Sequence, residues 1–254
     1  MSWDPSIYLK FDDKRTRPAA ELLGRVPADH PQNVVDLGCG PGNSTALLAA
    51  RWPQAKIAGV DSSQEMLDKA ASTDIPATWT CADIAAWQSS EPVDVLFTNA
   101  ALHWLGDHHR LFPSLMNNVA PGGTLAIQMP RNFDAPSHTL LHETVEETGN
   151  PNLIALLRDN PVADPDIYHR ILTPHAASVD IWETTYLQVL TGEDAVLAWT
   201  SGTALVPFMS VLEGAECDRF IGNYRQKLAA AYPPEADGST LFAFKRIFIV
   251  AQKH

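Results

Sequence analysis

From Val34 to Thr45 the chain reads Val-Val-Asp-Leu-Gly-Cys-Gly-Pro-Gly-Asn-Ser-Thr: an apolar strand breaks into a glycine-rich loop, and the loop opens a helix. No other stretch constrains the fold as strongly. Lacking a Cβ, Gly38 and Gly40 allow positive φ and let a ligand come close to the main chain. The helix beginning between Pro41 and Thr45 has first-turn N–H groups with no internal partners, and these point at whatever fills the loop. A second apolar run, Ile57-Ala58-Gly59-Val60, ends on Asp61. That acid lies about 20 residues past the loop, the offset at which a strand-end carboxylate accepts ribose hydroxyls in dinucleotide folds. Loop and acid together describe a nucleoside pocket.

The dinucleotide pattern G-x-G-x-x-G is not met, because Asn43 stands where its third glycine belongs. Glycines fall at 38, 40 and 42 instead. The resulting D-x-G-x-G-x-G resembles motif I of the class I S-adenosylmethionine-dependent methyltransferases. Those enzymes bind no pyrophosphate, so the start of the helix can carry a side chain such as that of Asn43.

The 254 residues fit one large α/β domain, or a core with modest insertions. No apolar run approaches the roughly 20 residues that span a bilayer, and the first residues lack a basic segment followed by an apolar one. A soluble, cytoplasmic protein without membrane association is expected. Three cysteines form no C-x-x-C pair, so neither a disulfide framework nor a metal site is expected. Cys39, inside the loop, reads as a small residue rather than a nucleophile. A formal charge of −12 with no basic cluster disfavours nucleic acid and favours a small-molecule partner.

From Gln32 to Met129 strand and helix patterns alternate, the signature of a doubly wound parallel sheet. Strands are predicted at 33–37, 56–60, 78–81, 93–98 and 124–129, with helices at 43–51, 63–71 and 108–118 and a short turn at 84–87. Pro121-Gly122-Gly123 reads as the turn into the fifth strand. Beyond Pro130, helix patterns at 137–148, 152–158 and 165–172 precede a strand over Val179–Tyr186. More helical spacing over 192–235 precedes a last strand, Leu241–Ala251. These segments divide as 1–30 (N-terminal lid segment and helix), 31–130 (cofactor-binding core), 131–176 and 191–238 (helical cap inserts), and 177–190 and 239–252 (last two strands). The economical organisation is a single domain whose inserts cover the pocket.

Ligands of open α/β sheets bind outside the carboxyl ends of the strands. The first strand exit supplies Gly38 and Gly40, and Asp36 can orient that loop or take an amino group through water. The second supplies Asp61 with Ser62, and Met66 is counted with them. At the third, Asp83 either accepts an adenine amino group or caps the following turn, and Ile84 covers a ring face. The fourth, Thr98-Asn99-Ala100-Ala101-Leu102-His103-Trp104, is the most polar and aromatic exit. Asn99 and Ala100 are expected at the cofactor, His103 at cofactor and acceptor, and Trp104 at the acceptor. His108 and His109 read as surface residues.

Several segments resemble the bacterial trans-aconitate 2-methyltransferases over essentially the full length. They include Trp3-Asp4-Pro5-Ser6, Tyr8-Leu9, Arg17-Pro18-Ala19, Asp36 to Leu48, Asp61-Ser62-Ser63, Gln128-Met129-Pro130, Val179-Asp180-Ile181-Trp182 and Phe248-Ile249-Val250-Ala251. The resemblance implies a Rossmann-like, mostly parallel seven-stranded sheet and S-adenosyl-L-methionine as cofactor, leaving S-adenosyl-L-homocysteine. It also implies methyl transfer to a carboxylate of trans-aconitate, and an N-terminal segment whose Trp3 and Tyr8 close the site, Tyr8 also touching substrate. Val206 occupies the position before Pro207-Phe208 at which the resemblance would place an arginine.

An ionised carboxylate acceptor needs no general base, so no acid–base residue is expected. Cations must hold the tricarboxylate, and arginine matches carboxylate geometry. The candidates are Arg131, Arg170, Arg225 and Arg246, with Tyr168 and Gln128 as neutral donors. The alternatives are methylation of a related carboxylic acid, methylation of a neutral phenol, quinone or amine, for which His103 would act as base, and a non-enzymatic cofactor-binding sensor. The protein is expected to be a monomer or a weak homodimer.

Overall fold

The computed structural model describes residues 16–158 and 160–254, so the expectations on Trp3 and Tyr8 lie outside the described residues. Helix α1 (Arg17–Gly24) begins with a proline in its first turn, where a missing N–H costs nothing, and buries Pro18, Ala19, Leu22 and Leu23. Arg51 holds the end of that helix, donating to the carbonyl oxygens of Leu23 and Val26.

Strand and helix then alternate through β1 (Asn33–Leu37), α2 (Asn43–Arg51), β2 (Lys56–Asp61), α3 (Gln64–Ala71), β3 (Thr78–Cys81), β4 (Val93–Asn99), α4 (His108–Asn118) and β5 (Val119–Pro130). With β6 (Ala176–Leu190) and β7 (Thr240–Lys253) they form a seven-stranded sheet of order β3-β2-β1-β4-β5-β7-β6. The pairs β1–β2, β1–β4, β2–β3 and β4–β5 are parallel. From β1 the chain winds outward to β3 and then returns to β4 on the other side. Strand order therefore reverses between β1 and β4, which opens a crevice at their carboxyl ends. Val34, Val35, Leu37, Val95, Leu96 and Phe97 are all buried, as expected of parallel strands covered on both faces.

The predicted turn at Pro121-Gly122-Gly123 is instead a bulge inside β5. Val93 pairs with Val119 but Val95 pairs with Thr124, so the intervening residues bulge out of the ladder. Gly123 tolerates this because a Cβ there would lie 2.8 Å from the Asp94 carbonyl oxygen.

Two compact units emerge: Met1–Pro130, Pro161–Thr184 and Ile247–His254 form one, and Arg131–Asn160 with Thr185–Arg246 form the other. The first includes α7 (Pro165–Leu172), which the sequence had suggested for an insert ending at 176. Tyr168 is the reason, since its ring stacks on Phe112 of α4 at 4.9 Å. The second unit holds α5 (Pro136–Thr148), α6 (Pro151–Ile154), α8 (Ala195–Ser201), α9 (Val206–Met209) and α10 (Gly214–Ala231). Its own core gathers Leu141, Val145, Phe208, Phe220, Tyr224, Leu228 and Phe242. Tyr224 donates to the Ser137 carbonyl at 2.5 Å, and the Ser137 N–H donates to the Tyr232 hydroxyl at 3.0 Å, so the buried polar atoms at the start of α5 are satisfied.

Candidate active site

The glycine loop hangs from β2. The N–H groups of Gly38 and Cys39 both donate to the Val60 carbonyl, at 2.7 and 3.1 Å. Asp61 completes the attachment, its Oδ2 accepting the Gly40 N–H and its Oδ1 the Ser63 N–H, each at 2.9 Å. Each carboxylate oxygen can accept again, so Asp61 orders the loop and still offers lone pairs outward. Gly38, Gly40 and Gly42 all have positive φ, at +78°, +53° and +91°. A Cβ on Gly38 would lie 2.2 Å from the Ala101 Cβ, which shows how tightly the β4 exit closes on the loop. A Cβ on Gly40 would meet nothing within 4 Å, so that backbone faces open space.

Behind the loop, Asp36 is fully buried. Its Oδ2 accepts the hydroxyl protons of Ser44 at 2.7 Å and Thr45 at 2.6 Å, tying the first turn of α2 back to β1. Burial pushes its carboxyl up to about 6, outweighing those two hydrogen bonds. Of the two roles expected for Asp36, loop orientation is thus visible in the contacts. Burial, aided by Asp36 and Asp61, likewise raises the Cys39 thiol far above its usual range, which makes it inert.

The other expected cofactor residues gather at the same strand ends. Asn43 is exposed as the first residue of α2, and Ser62 is exposed beside Asp61. Met66 is 36% exposed in the first turn of α3, whose cap is the Ser63 hydroxyl accepting the Met66 N–H at 3.3 Å. Asp83 accepts the Ala85 N–H at 2.9 Å through Oδ1, so its capping role is present, and its other oxygen stays available to a ligand. Ile84 Cδ1 comes within 3.2 Å of the place a Gly38 Cβ would take. Asn99 Oδ1 is a buried acceptor with no hydrogen-bond partner among the described residues. Ala100 follows at φ +55°, held by its N–H donating to the Gln128 carbonyl at 2.9 Å. Such a conformation is costly outside glycine and persists where the surroundings enforce it.

These acceptors (Asp61, Asp83, Asn99 and the second oxygen of Asp36) suit a ligand rich in hydroxyl and amino groups and bearing positive charge. S-adenosyl-L-methionine has that character, and Gly40 leaves the room. The residues present fit the cofactor.

The acceptor candidates divide by burial. His103 and Trp104 lie in a short 3-10 turn with rings 4.8 Å apart, and Trp104 is 51% exposed. Gln128 is fully buried opposite Asn99 in the β4–β5 register. Arg170 is an exposed side chain paired with Asp166 at 2.7 Å, and Arg225 pairs with Asp194 at 2.8 Å. Arg131 is half-buried and its N–H donates to the Lys245 carbonyl at 2.9 Å. Arg246 alone among these four arginines is buried, its guanidinium 4.7 Å above the Phe244 ring.

Two residues depart from expectation. His108 is buried rather than on the surface: its Nε2 donates to the Leu102 carbonyl at 3.0 Å and its Nδ1 meets the Tyr168 hydroxyl at 2.7 Å. Because a carbonyl can only accept, Nε2 carries the proton. Tyr168, expected as an acceptor ligand, is fully buried, and its hydroxyl also accepts the Ala163 N–H at 3.0 Å. Its role on this geometry is to hold α7 against the turn that carries His103.

Sequence reasoning missed Trp79, whose ring occupies the space beside Gly59 and Gly42. A Cβ on Gly59 would come within 2.4 Å of that ring. A glycine in mid-strand facing a tryptophan on the next strand is the signal that could have found it.

A crevice at a strand-order reversal, lined by a three-glycine loop and strand-end acceptors, defines a class I S-adenosylmethionine-dependent methyltransferase. A family model described as "Methyltransferase domain" matches residues 34–123. Among relatives, trans-aconitate 2-methyltransferase from Azoarcus sp. strain BH72 is 47% identical over 250 residues, covering 98% of each chain. The enzyme of that name from Klebsiella pneumoniae strain 342 is 45% identical, covering 99% of this chain and 98% of its own. Among solved structures, the YcgJ protein from Bacillus subtilis superposes with a TM-score of 0.60 at 14% identity, over 93% of this chain and 98% of that one. Phosphoethanolamine N-methyltransferase 2 from Haemonchus contortus, in complex with S-adenosyl-L-methionine, gives 0.55 at 17% identity, over 97% and 56%. The structural likenesses establish the fold. The chain belongs to the trans-aconitate 2-methyltransferase family.

Proposed function

We propose that this chain transfers the methyl group of S-adenosyl-L-methionine to a carboxylate of trans-aconitate, giving a monomethyl ester. The observation that carries the reading is the near-complete coverage at 47% identity, which extends through both compact units and not only the glycine-loop core.

Bound S-adenosyl-L-methionine supplies an electrophilic sulfonium methyl group. Asp61, which keeps the Gly40 N–H in place, would hold the ribose hydroxyls. Asp83 and Ile84 would take the adenine, and Asn99 would accept from the amino group. His103 and Trp104 face the acceptor, and Gln128 stiffens the β4 exit through its carbonyl.

A carboxylate with a pKa near about 4 is already ionised at neutral pH, so no side chain need remove a proton. The residues of this chain would then contribute by orienting the acceptor toward the cofactor's methyl group and keeping water away from it. The polyanionic acceptor requires a cation in a chain of formal charge −12. Arg246 is the leading candidate, because a guanidinium is rarely buried without a task.

The test is incubation with labelled S-adenosyl-L-methionine and a panel of di- and tricarboxylates, followed by base hydrolysis of the product. Label should enter trans-aconitate as a base-labile ester. Absence of transfer to trans-aconitate would overturn the reading.

A further inference from the structure

The segment that carries His103 and Trp104 begins and ends in left-handed backbone. Ala100, where the chain leaves β4, has φ +55°, and Asp107, which caps α4, has φ +50°. Neither is glycine, so the chain between them is bent at both ends against its local preference. A backbone strained in this way persists only where its neighbours fix it. At Ala100 the fixing contact is the N–H, which the Gln128 carbonyl accepts at 2.9 Å. Toward Asp107 it is the next residue, His108, whose Nε2–H donates at 3.0 Å to the carbonyl of Leu102, the first residue of the 3-10 turn Leu102–Trp104.

His108 is itself held from behind. It is buried, and its ring stacks on that of Phe112, one helical turn on, with centroids 5.0 Å apart. With the proton on Nε2, the neutral ring presents a lone pair on Nδ1, and the Tyr168 hydroxyl donates to it at 2.7 Å. The same hydroxyl accepts the Ala163 N–H at 3.0 Å. Donor and acceptor therefore alternate in one direction from Ala163 through Tyr168 and His108 to Leu102. Such a chain fixes the tautomer of the imidazole and aims its N–H at the turn. All four residues and the turn belong to the first compact unit.

We infer that His108 is a positioning residue for methyl transfer, with Tyr168 as its lock: the pair holds the strained turn so that the His103 and Trp104 rings keep one placement beside the cofactor loop. This rests on the reading that those rings face the acceptor. The turn and the loop are neighbours, since a Cβ on Gly38 would lie 2.2 Å from the Ala101 Cβ in the same segment. Loosening the turn should act on the acceptor more than on the cofactor, because the loop's own hydrogen bonds run to Val60 and Asp61. A small misplacement of groups that orient an acceptor costs rate out of proportion to stability.

Tyr168→Phe removes the hydroxyl and keeps the ring that stacks on Phe112 at 4.9 Å. Its kcat/KM for trans-aconitate should fall about tenfold, while the dissociation constant of S-adenosyl-L-homocysteine in calorimetry stays within about twofold of wild type. Hydrogen exchange gives a readout that needs no acceptor. The Trp104 and Leu105 amides, which donate to the Ala101 and Leu102 carbonyls at 3.1 and 3.0 Å, should exchange about tenfold faster, and those of Gly38 and Cys39 at the wild-type rate. His108→Gln, whose amide nitrogen stands in for Nε2, should retain more activity than His108→Leu, which cannot donate; a residue that only packs would show the reverse order. Unchanged kcat/KM or unchanged exchange in Tyr168→Phe would overturn the inference, as would an equal loss of cofactor affinity. Should Tyr168→Phe fail to fold, the order of the two His108 variants decides. If wild type transfers no methyl to trans-aconitate, the proposed function falls, and the exchange rates alone decide whether the pair holds the turn.

Discussion

The Asp61 carboxylate holds the Gly40 N–H at 2.9 Å, joining the end of β2 to the middle of the glycine loop. One side chain thus shapes the loop and presents acceptors to whatever the loop encloses. Asp61→Ala should raise the dissociation constant of S-adenosyl-L-methionine by about 10- to 100-fold in calorimetry, since a charge-assisted hydrogen bond is lost on both sides. An affinity within twofold of wild type would remove Asp61 from the site.

Asp36 should make stability depend on pH in an unusual direction. Burial raises its folded pKa to about 6, above an unfolded value near about 3.9. The folded chain therefore binds the proton more tightly, and this contribution is present below about pH 4 and lost as pH rises to about 6. Asp36→Asn removes the ionisation and should melt several degrees above wild type at pH 8, on the order of 3 kcal/mol at most. That gap should close toward pH 4 in thermal melts, and a gap independent of pH would refute the assignment.

Gly38 and Gly40 should respond differently to a methyl group. Gly38→Ala adds left-handed strain of about 1–2 kcal/mol and a collision with Ala101, so it should destabilise the fold by about 3 kcal/mol or more. The partner change Ala101→Gly should recover the collision and not the strain. Gly40→Ala meets no neighbour, so it should cost only about 1–2 kcal/mol in denaturant melts while weakening cofactor binding.

Burial ranks the arginines. Arg246→Lys, which keeps charge but loses the fork, should raise the KM for trans-aconitate about tenfold, and Arg170→Ala should change it less than twofold. Steady-state kinetics with both variants checks this, and the reverse order would move the clamp away from β7.

A carboxylate acceptor makes the reaction independent of a base. The pH–rate profile should be flat from about pH 6 to 9, and His103→Asn should affect KM more than the shape of that profile. A limb that titrates near about 6.5 and vanishes in His103→Asn would favour a phenol-type acceptor instead.

Much of this molecule was legible in the residues alone. The strands at 33–37 and 78–81 and the helices at 43–51 and 108–118 occur at those bounds, because glycine's φ freedom, apolar runs and helix starts are local properties. Loop, Asp61 and the order of strand exits were readable for the same reason, and so was the methyltransferase class. The tertiary structure alone decided that His108 and Tyr168 face each other inside the first unit, that Pro121-Gly122-Gly123 bulges within a strand, and that Arg246 rather than Arg170 is buried. A side chain's solvation and its partners across 60 or more residues depend on how distant segments pack, which no local pattern of the sequence carries.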